Sequence, residues 1–235
     1  MKRRPLLLDL DLDFLWDRDC YLNCNEVGLA YSPEEVGKEL LKLKKSQTTV
    51  HLIVDHQESL YIWDKFNVRE ACCIHIDGHH DMWRFNWREK TIPRGLRGSK
   101  VGCGSYLSQA IVDGVVKEVI YVAPKYKYVC NEENDIRDEL GSLRNITVMK
   151  WNNFLKTMHL LPKADIITIA VSPEWSPHYF WPEMKTVCKI LGVSKYSMNR
   201  RRKQANAKWK MANAKSLTKR CKIKQLDFQF PYSYI

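Results

Sequence analysis

The stretch Leu6-Leu-Leu-Asp-Leu-Asp-Leu-Asp13 decides how this chain folds. An apolar run that passes into alternating leucine and aspartate fits a strand whose far end emerges from a core. Successive side chains of an extended backbone point to opposite faces, so Asp9, Asp11 and Asp13 are expected on one side. The stretch Ala71-Cys-Cys-Ile-His-Ile-Asp-Gly-His-His-Asp81 repeats the plan, with Asp77, His79 and Asp81 expected on one side. Val50-His-Leu-Ile-Val-Asp-His56 adds a third apolar run ending in ligand-type residues. Carboxylates in contact raise one another's pKa and are costly to ionise in a dry cleft unless a divalent cation offsets the repulsion. A lone Asp-x-Asp commonly caps a helix or starts a turn. Three such strand ends together point to a metal centre. His51, His75 and His159 stand apart from these patterns and read as core or surface histidines.

Working outward, apolar runs, β-branched in all but the first, recur at Leu6–Phe14, Val50–Val54, Ala71–Ile76, Val119–Val122, Ile146–Met149 and Ile166–Val171. Between the first two, Ser32-Pro-Glu-Glu35 supplies an N-cap, a first-turn proline and acids for a helix running through Val36 to Lys45. A further helix is expected from about Gln57. Such runs suit burial on both faces, which predicts a three-layer α/β fold: a mostly parallel sheet, helices on both faces, and function at the carboxyl ends of the strands.

At 235 residues and 27.7 kDa one catalytic domain is expected over 1–195. A basic C-terminal extension, 196–235, is expected to pack on it. No apolar run approaches the roughly 18 residues of a membrane span. The N-terminal Leu6-Leu-Leu8 run is cut by Asp9, which argues against a signal peptide and for the cytoplasm. Eight cysteines without a CxxC pair fit reduced thiols, and Cys20 and Cys24 lack a second thiolate pair for zinc. The segment from Gly95 to Tyr106, with Gly98, Gly102 and Gly104, carries no phosphate-loop pattern and is expected to mould one wall of the cleft. Arg200, Arg201, Arg202, Lys203, Lys208 and Lys210 begin a segment that concentrates much of the net charge of +11. Solvated charge, nucleic-acid binding and capture of an acidic peptide leader all suit it.

After the last expected strand comes Val171-Ser-Pro-Glu-Trp-Ser-Pro-His178. Glu174, between prolines and aromatics, is a carboxylate on a stiff loop, suited to a cation.

These motifs resemble those of the arginase, agmatinase and deacetylase superfamily, most closely the small UPF0489-type members that include peptide arginases. On that resemblance His56 matches the histidine of the first metal segment. Asp77, His79 and Asp81 match DAHxD, and Asp11 and Asp13 match the last aspartate pair, leaving Asp9 in a supporting role. The aspartate-rich strand lies at the N-terminus here, so the resemblance implies an arginase-like sheet with permuted strand order. It spans about residues 5 to 180. It implies two Mn2+ ions, Asp81 orienting the attacking water, Glu174 holding a guanidinium, and a histidine proton carrier, His178 ahead of His80. Residues that would clasp the α-carboxylate and α-amino group of free arginine have no clear match. The implied reaction is therefore hydrolysis of peptidyl-arginine to ornithine and urea, with an arginine-containing precursor peptide as partner. An amidohydrolase or deacetylase acting on another small amide or guanidine, a two-metal nuclease and a nucleic-acid-binding metal protein are the alternatives.

Overall fold

Six parallel strands form one sheet in the order β2-β6-β1-β3-β4-β5 in a computed structural model, which describes residues 3–19, 27–83 and 101–227, with side chains through 211. The strands are β1 (Leu6–Asp11), β2 (Lys44–Ile53), β3 (Ala71–Ile76), β4 (Val116–Ala123), β5 (Ile146–Lys150) and β6 (Ala164–Ala170). Helices α1 (Pro33–Leu41), α2 (Glu58–Lys65), α3 (Tyr106–Val112), α4 (Val129–Leu140), α5 (Trp151–Thr157), α6 (Trp181–Ile190) and α7 (Lys195–Asp227) cover it.

Alternation along β1 sorts the layers. Leu6, Leu8 and Leu10 enter a core built with Val36 and Leu40 of α1, Phe154 of α5, Met184 and Val187 of α6, and Ala205 and Trp209 of α7. Leu7 points the other way, to Trp63 of α2, Tyr106 and Leu107 of α3, and Ile136 of α4. Each leucine fully removed from water contributes about 1.5–3 kcal/mol, so β1 is anchored from both sides. The three-layer α/β arrangement read from the sequence is present, with every strand pairing parallel.

The chain leaves β1 for β2 on one side, crosses to β3, proceeds to β4 and β5, and returns to β6 between β2 and β1. The strand order thus reverses beside β1. In open parallel sheets a crevice forms at the carboxyl ends of the strands at such a point, and ligands bind there.

Three local expectations need correction. The first strand stops at Asp11, not Phe14: the Asp11 side chain accepts from the Asp13 N–H and starts a 3-10 turn over Leu12–Leu15. Asp13 therefore reaches its place from a turn, not by strand alternation. β3 ends at Ile76 as expected, but Asp77 to Asp81 follow as a loop instead of an alternating extended run, and Asp81 has φ +51°. The first helix keeps its Ser32 cap and Pro33 start but ends at Leu41, because β2 begins at Lys44.

Candidate metal centre

Strand register builds the floor of the site. Asp9 of β1 pairs in register with His75 of β3 and with Thr168 of β6, so all three project on the α2–α3 side. Asp9 is buried and heavily donated to. Ser59 Oγ (2.7 Å), Thr168 Oγ1 (2.5 Å) and Tyr106 Oη (2.5 Å) give hydrogen bonds to its carboxylate, and His75 Nδ1 lies 3.2 Å from it. Burial would raise its pKa, yet the charge of His56 beside it and the contact from His75 outweigh burial and hold it well below the usual carboxylate range.

Above this floor His56 is the hub. Its Nε2 lies 3.1 Å from Asp9 Oδ2, while its Nδ1 lies 3.1 Å from Asp11 Oδ2, 2.9 Å from Asp77 Oδ2 and 3.1 Å from Asp81 Oδ2. One ring nitrogen cannot donate to three carboxylates. Both ring nitrogens and Asp77 Oδ2 have no hydrogen bond of good geometry despite complete burial. Three acidic oxygens and a nitrogen lone pair facing one point are a ligand set for a cation. A second set lies beside it: His79 Nδ1 is 3.1 Å from Asp13 Oδ2 and 3.6 Å from Asp77 Oδ1. Asp77 thus turns one oxygen to each set. The groups Asp11–His56–Asp77 and Asp13–Asp77–His79 could each hold a metal ion, and they share that one carboxylate.

Histidine orientation supports the same reading. His56 presents Nδ1 to the cluster and Nε2 to Asp9. His79 presents Nδ1 to the cluster and Nε2 to Asp19 at 3.5 Å. A carboxylate behind the distal ring nitrogen is the usual way to fix the tautomer and direction of a metal-binding imidazole.

The charge balance suits a cation. Asp9, Asp11, Asp13, Asp77 and Asp81 are all buried, against His56, His75 and a mostly buried His79. Burial, followed by repulsion from Asp77, lifts Asp81 to about 7. Burial, Asp11 and Asp77 push Asp13 well above the ordinary range. Burial opposes charge on His79, but Asp13 and Asp77 overcome it and raise His79 to about 12. Borrowed protons thus offset repulsion that divalent ions would relieve.

A cleft of about 230 Å³ opens onto His56. Its walls include Gln57, Gly102, Cys103, Glu174, Trp175 and Lys208. Burial and the charges of Asp81 and Asp11 push the Cys103 thiol up to about 11, which keeps it a neutral wall group. The Glu174 loop is held at three points. Ser172, at φ +44°, donates through Oγ to Asp11 and through its N–H to the Val54 carbonyl at 2.9 Å. Trp16 Nε1 donates to Ser176 Oγ at 3.3 Å, and Trp209 Nε1 to the Ser176 carbonyl at 2.5 Å. Trp175 packs on His79 with ring centroids 4.1 Å apart.

His178 sits exposed on a 3-10 turn, with its ring 6.3 Å from that of Trp209. His80 is buried between Trp83 and Tyr121, accepts from the Met82 N–H, and is lowered to about 4 by burial and by His75. Gly102 and Cys103 form cleft wall, while Gly98, Cys20 and Cys24 lie outside the described residues. One expectation fails. His75 is hydrogen-bonded, but it belongs to the site through Asp9 and the His79 carbonyl. Phe180 and Trp181 do not line the cleft: Phe180 stacks on Trp16 at 4.3 Å and Trp181 is buried beside Trp209. Ser59, Thr168, Tyr106, Asp19 and Lys208 were not anticipated. Only register and the crossing of α7 bring them in, and no local pattern marks them.

The arrangement is a binuclear-type His/Asp cluster on a parallel α/β sheet, suited to metal-dependent hydrolysis and consistent with the arginase-like superfamily in general. No protein-family model, no curated protein and no solved structure matches the chain.

Proposed function

We propose that the protein is a manganese-dependent peptide arginase, hydrolysing the guanidino group of peptidyl-arginine to ornithine and urea. The observation that carries this reading is the sharing of Asp77 between two ligand sets beneath a cleft that also presents Glu174. The first set is Asp11, His56, Asp77 and Asp81, and the second is Asp13, His79 and Asp77. Two divalent ions held there would acidify water and stabilise charge developing on the attacked carbon. Manganese suits a set of carboxylate and imidazole ligands.

The chain's own residues do the rest. Asp9 holds the His56 ring and Asp19 the His79 ring. The other oxygen of Asp81 accepts a hydrogen bond from the attacking water and aims it at the guanidinium carbon. Glu174 pairs with the guanidinium N–H groups, a charge-assisted contact that fixes the carbon over the site. A C–O bond forms, the bond from that carbon to the side-chain nitrogen breaks, and the electron pair and a proton go to the departing amine. His178 is assigned the proton transfer, through water, since it lies exposed and outside the cleft wall.

The test is incubation with Mn2+ and arginine-containing peptides, read by mass spectrometry for a loss of about 42 Da and by urea release. The mass change is the CN2H2 unit removed on hydrolysis. Glu174→Gln should keep metal yet lose most turnover. Full activity of Glu174→Gln, or acetate released from acetyl-lysine peptides with none of this urea, would overturn the reading.

A further inference from the structure

The long basic helix α7 is stitched to both loops that frame the cleft. Arg201 Nη1 pairs with Glu58 Oε2 at 3.1 Å, and the other oxygen of Glu58 accepts the N–H groups of Val54 and Asp55 at 3.0 and 3.1 Å, on the loop leading to His56. Trp209 Nε1 fastens the same helix to Ser176, on the loop of Glu174. Ala205, fully buried, and Trp209 seat the helix in the core between these ties. Lys208 is therefore held in place. Its ammonium reaches the cleft wall and donates to Asp55.

We propose that Lys208 is a specificity-determining residue that takes a carboxylate of the substrate at the mouth of this cleft. The inference rests on the guanidine reading above and deepens it. A lysine has three N–H donors. Asp55 is its acceptor among the described residues, and the Lys208 side chain stays 43% exposed. An ion pair so exposed is weak, so an incoming carboxylate can share the ammonium at little cost. The cleft then offers an anion, Glu174, and a cation, Lys208, on fixed supports. A peptide without a carboxylate leaves that ammonium to Asp55 alone. An arginine followed by an acidic residue, or a C-terminal arginine with its free carboxylate, is complementary at both ends.

The experiment compares, on the manganese-loaded full chain, peptides in which arginine is followed by Asp, by Asn, or by its own free carboxylate, the first two with amidated C-termini. The readout is the ratio of kcat/KM values within one preparation, which cancels any loss of folded enzyme. Wild type should favour the carboxylate peptides about tenfold, the scale of one ionic contact. Lys208→Gln should bring the ratio to about one, Lys208→Arg should keep it, and Lys208→Glu should reverse it toward the Asn peptide. The Asp arm and the free-carboxylate arm tell side-chain from main-chain recognition. A wild-type ratio near one, or a preference unchanged in Lys208→Gln, overturns the proposal, because a lysine that only tethers α7 would slow all peptides alike. Absence of urea from every peptide would instead sink the guanidine reading. Equilibrium binding of the same peptides, with the same expected ratio, then still decides the role of Lys208.

Discussion

The two ends of this sheet use the same residue types to opposite ends. At the amino ends of β1 and β6, Asp165 is partly exposed and surrounded by opposite charge: Lys45 at 2.6 Å, Arg3 at 3.3 Å and the Leu6 N–H at 2.8 Å. At the carboxyl ends Asp13 is buried, 3.0 Å from the Gly78 N–H and repelled by Asp11 and Asp77. Asp165 is held below the ordinary carboxyl value and Asp13 well above it. The difference teaches that the carboxyl end is not a stabilising ion-pair network. Buried charge lacking sufficient counter-charge costs stability, and such a cluster suits a site that a ligand completes.

The comparison breaks most visibly at Asp77. Asp77→Asn keeps the shape but removes the charge turned to both ligand sets. Manganese bound after gel filtration should fall from about two ions per chain to one or none, and urea release about a thousandfold, the scale of losing a charge aimed at the transition state. Manganese at about 100 times its Kd should raise the unfolding free energy of the native protein by about 2.7 kcal/mol for each site it fills, and that of the variant by much less. Chelator should reverse the gain. Full metal content and turnover in Asp77→Asn would leave the two ends of the sheet equivalent.

A smaller effect sharpens the same contrast one layer below. Ser59→Ala removes the 2.7 Å donor to buried Asp9, which in turn holds His56 Nε2. Hydrogen bonds to a buried charged group contribute about 1.5–3 kcal/mol, so denaturant unfolding should show a loss in that range. Loss of a partner behind a metal-binding imidazole costs about tenfold or more in metal affinity, which isothermal titration with Mn2+ would read. A stability loss with unchanged manganese affinity would make Asp9 a purely structural buried acid.

How much of this was legible in the sequence depends on the distance over which each feature is written. The layers were legible because β-branched apolar runs declare buried strands locally. Ala71–Ile76 has the boundaries read from its pattern, and the Ser32-Pro33 start of α1 is likewise a local signal. The clustering of acids at strand ends was legible for the same reason. Strand ends were not: Asp11 captures the Asp13 N–H and turns the chain early, a competition that residue type alone does not resolve. The row Thr168–Asp9–His75 and the reach of Lys208 into the cleft depend on register and packing between segments 66 to 159 residues apart. Periodicity within one segment carries no trace of them. In α7, Met198, Ala205 and Trp209 are buried among basic neighbours, a seam too sparse to stand out as an amphipathic stripe.

The smallest effect lies at the other end of the sheet. Burial alone would raise Asp165, but the hydrogen bonds from Lys45 and the Leu6 N–H, with the charges of Lys45 and Arg3, outweigh it and hold the carboxyl below its ordinary 3.8. A carboxyl lowered in the folded state takes up its proton more readily in the unfolded chain. Its contribution is therefore present above 3.8 and is lost as pH falls through the lower folded value. Because the side chains are partly exposed and screened, Asp165→Asn should cost less than about 1 kcal/mol at neutral pH. The gap between wild type and variant should close as the pH falls below that lowered folded value, where both chains are neutral at this position. Urea release should be unaffected, since Asp165 lies at the amino ends of the strands. Denaturant melts across this pH range with parallel activity assays would measure both. A gap that persists in acid, or a fall in turnover, would mean that the amino-end cluster is more than a weak surface network coupled to nothing at the site.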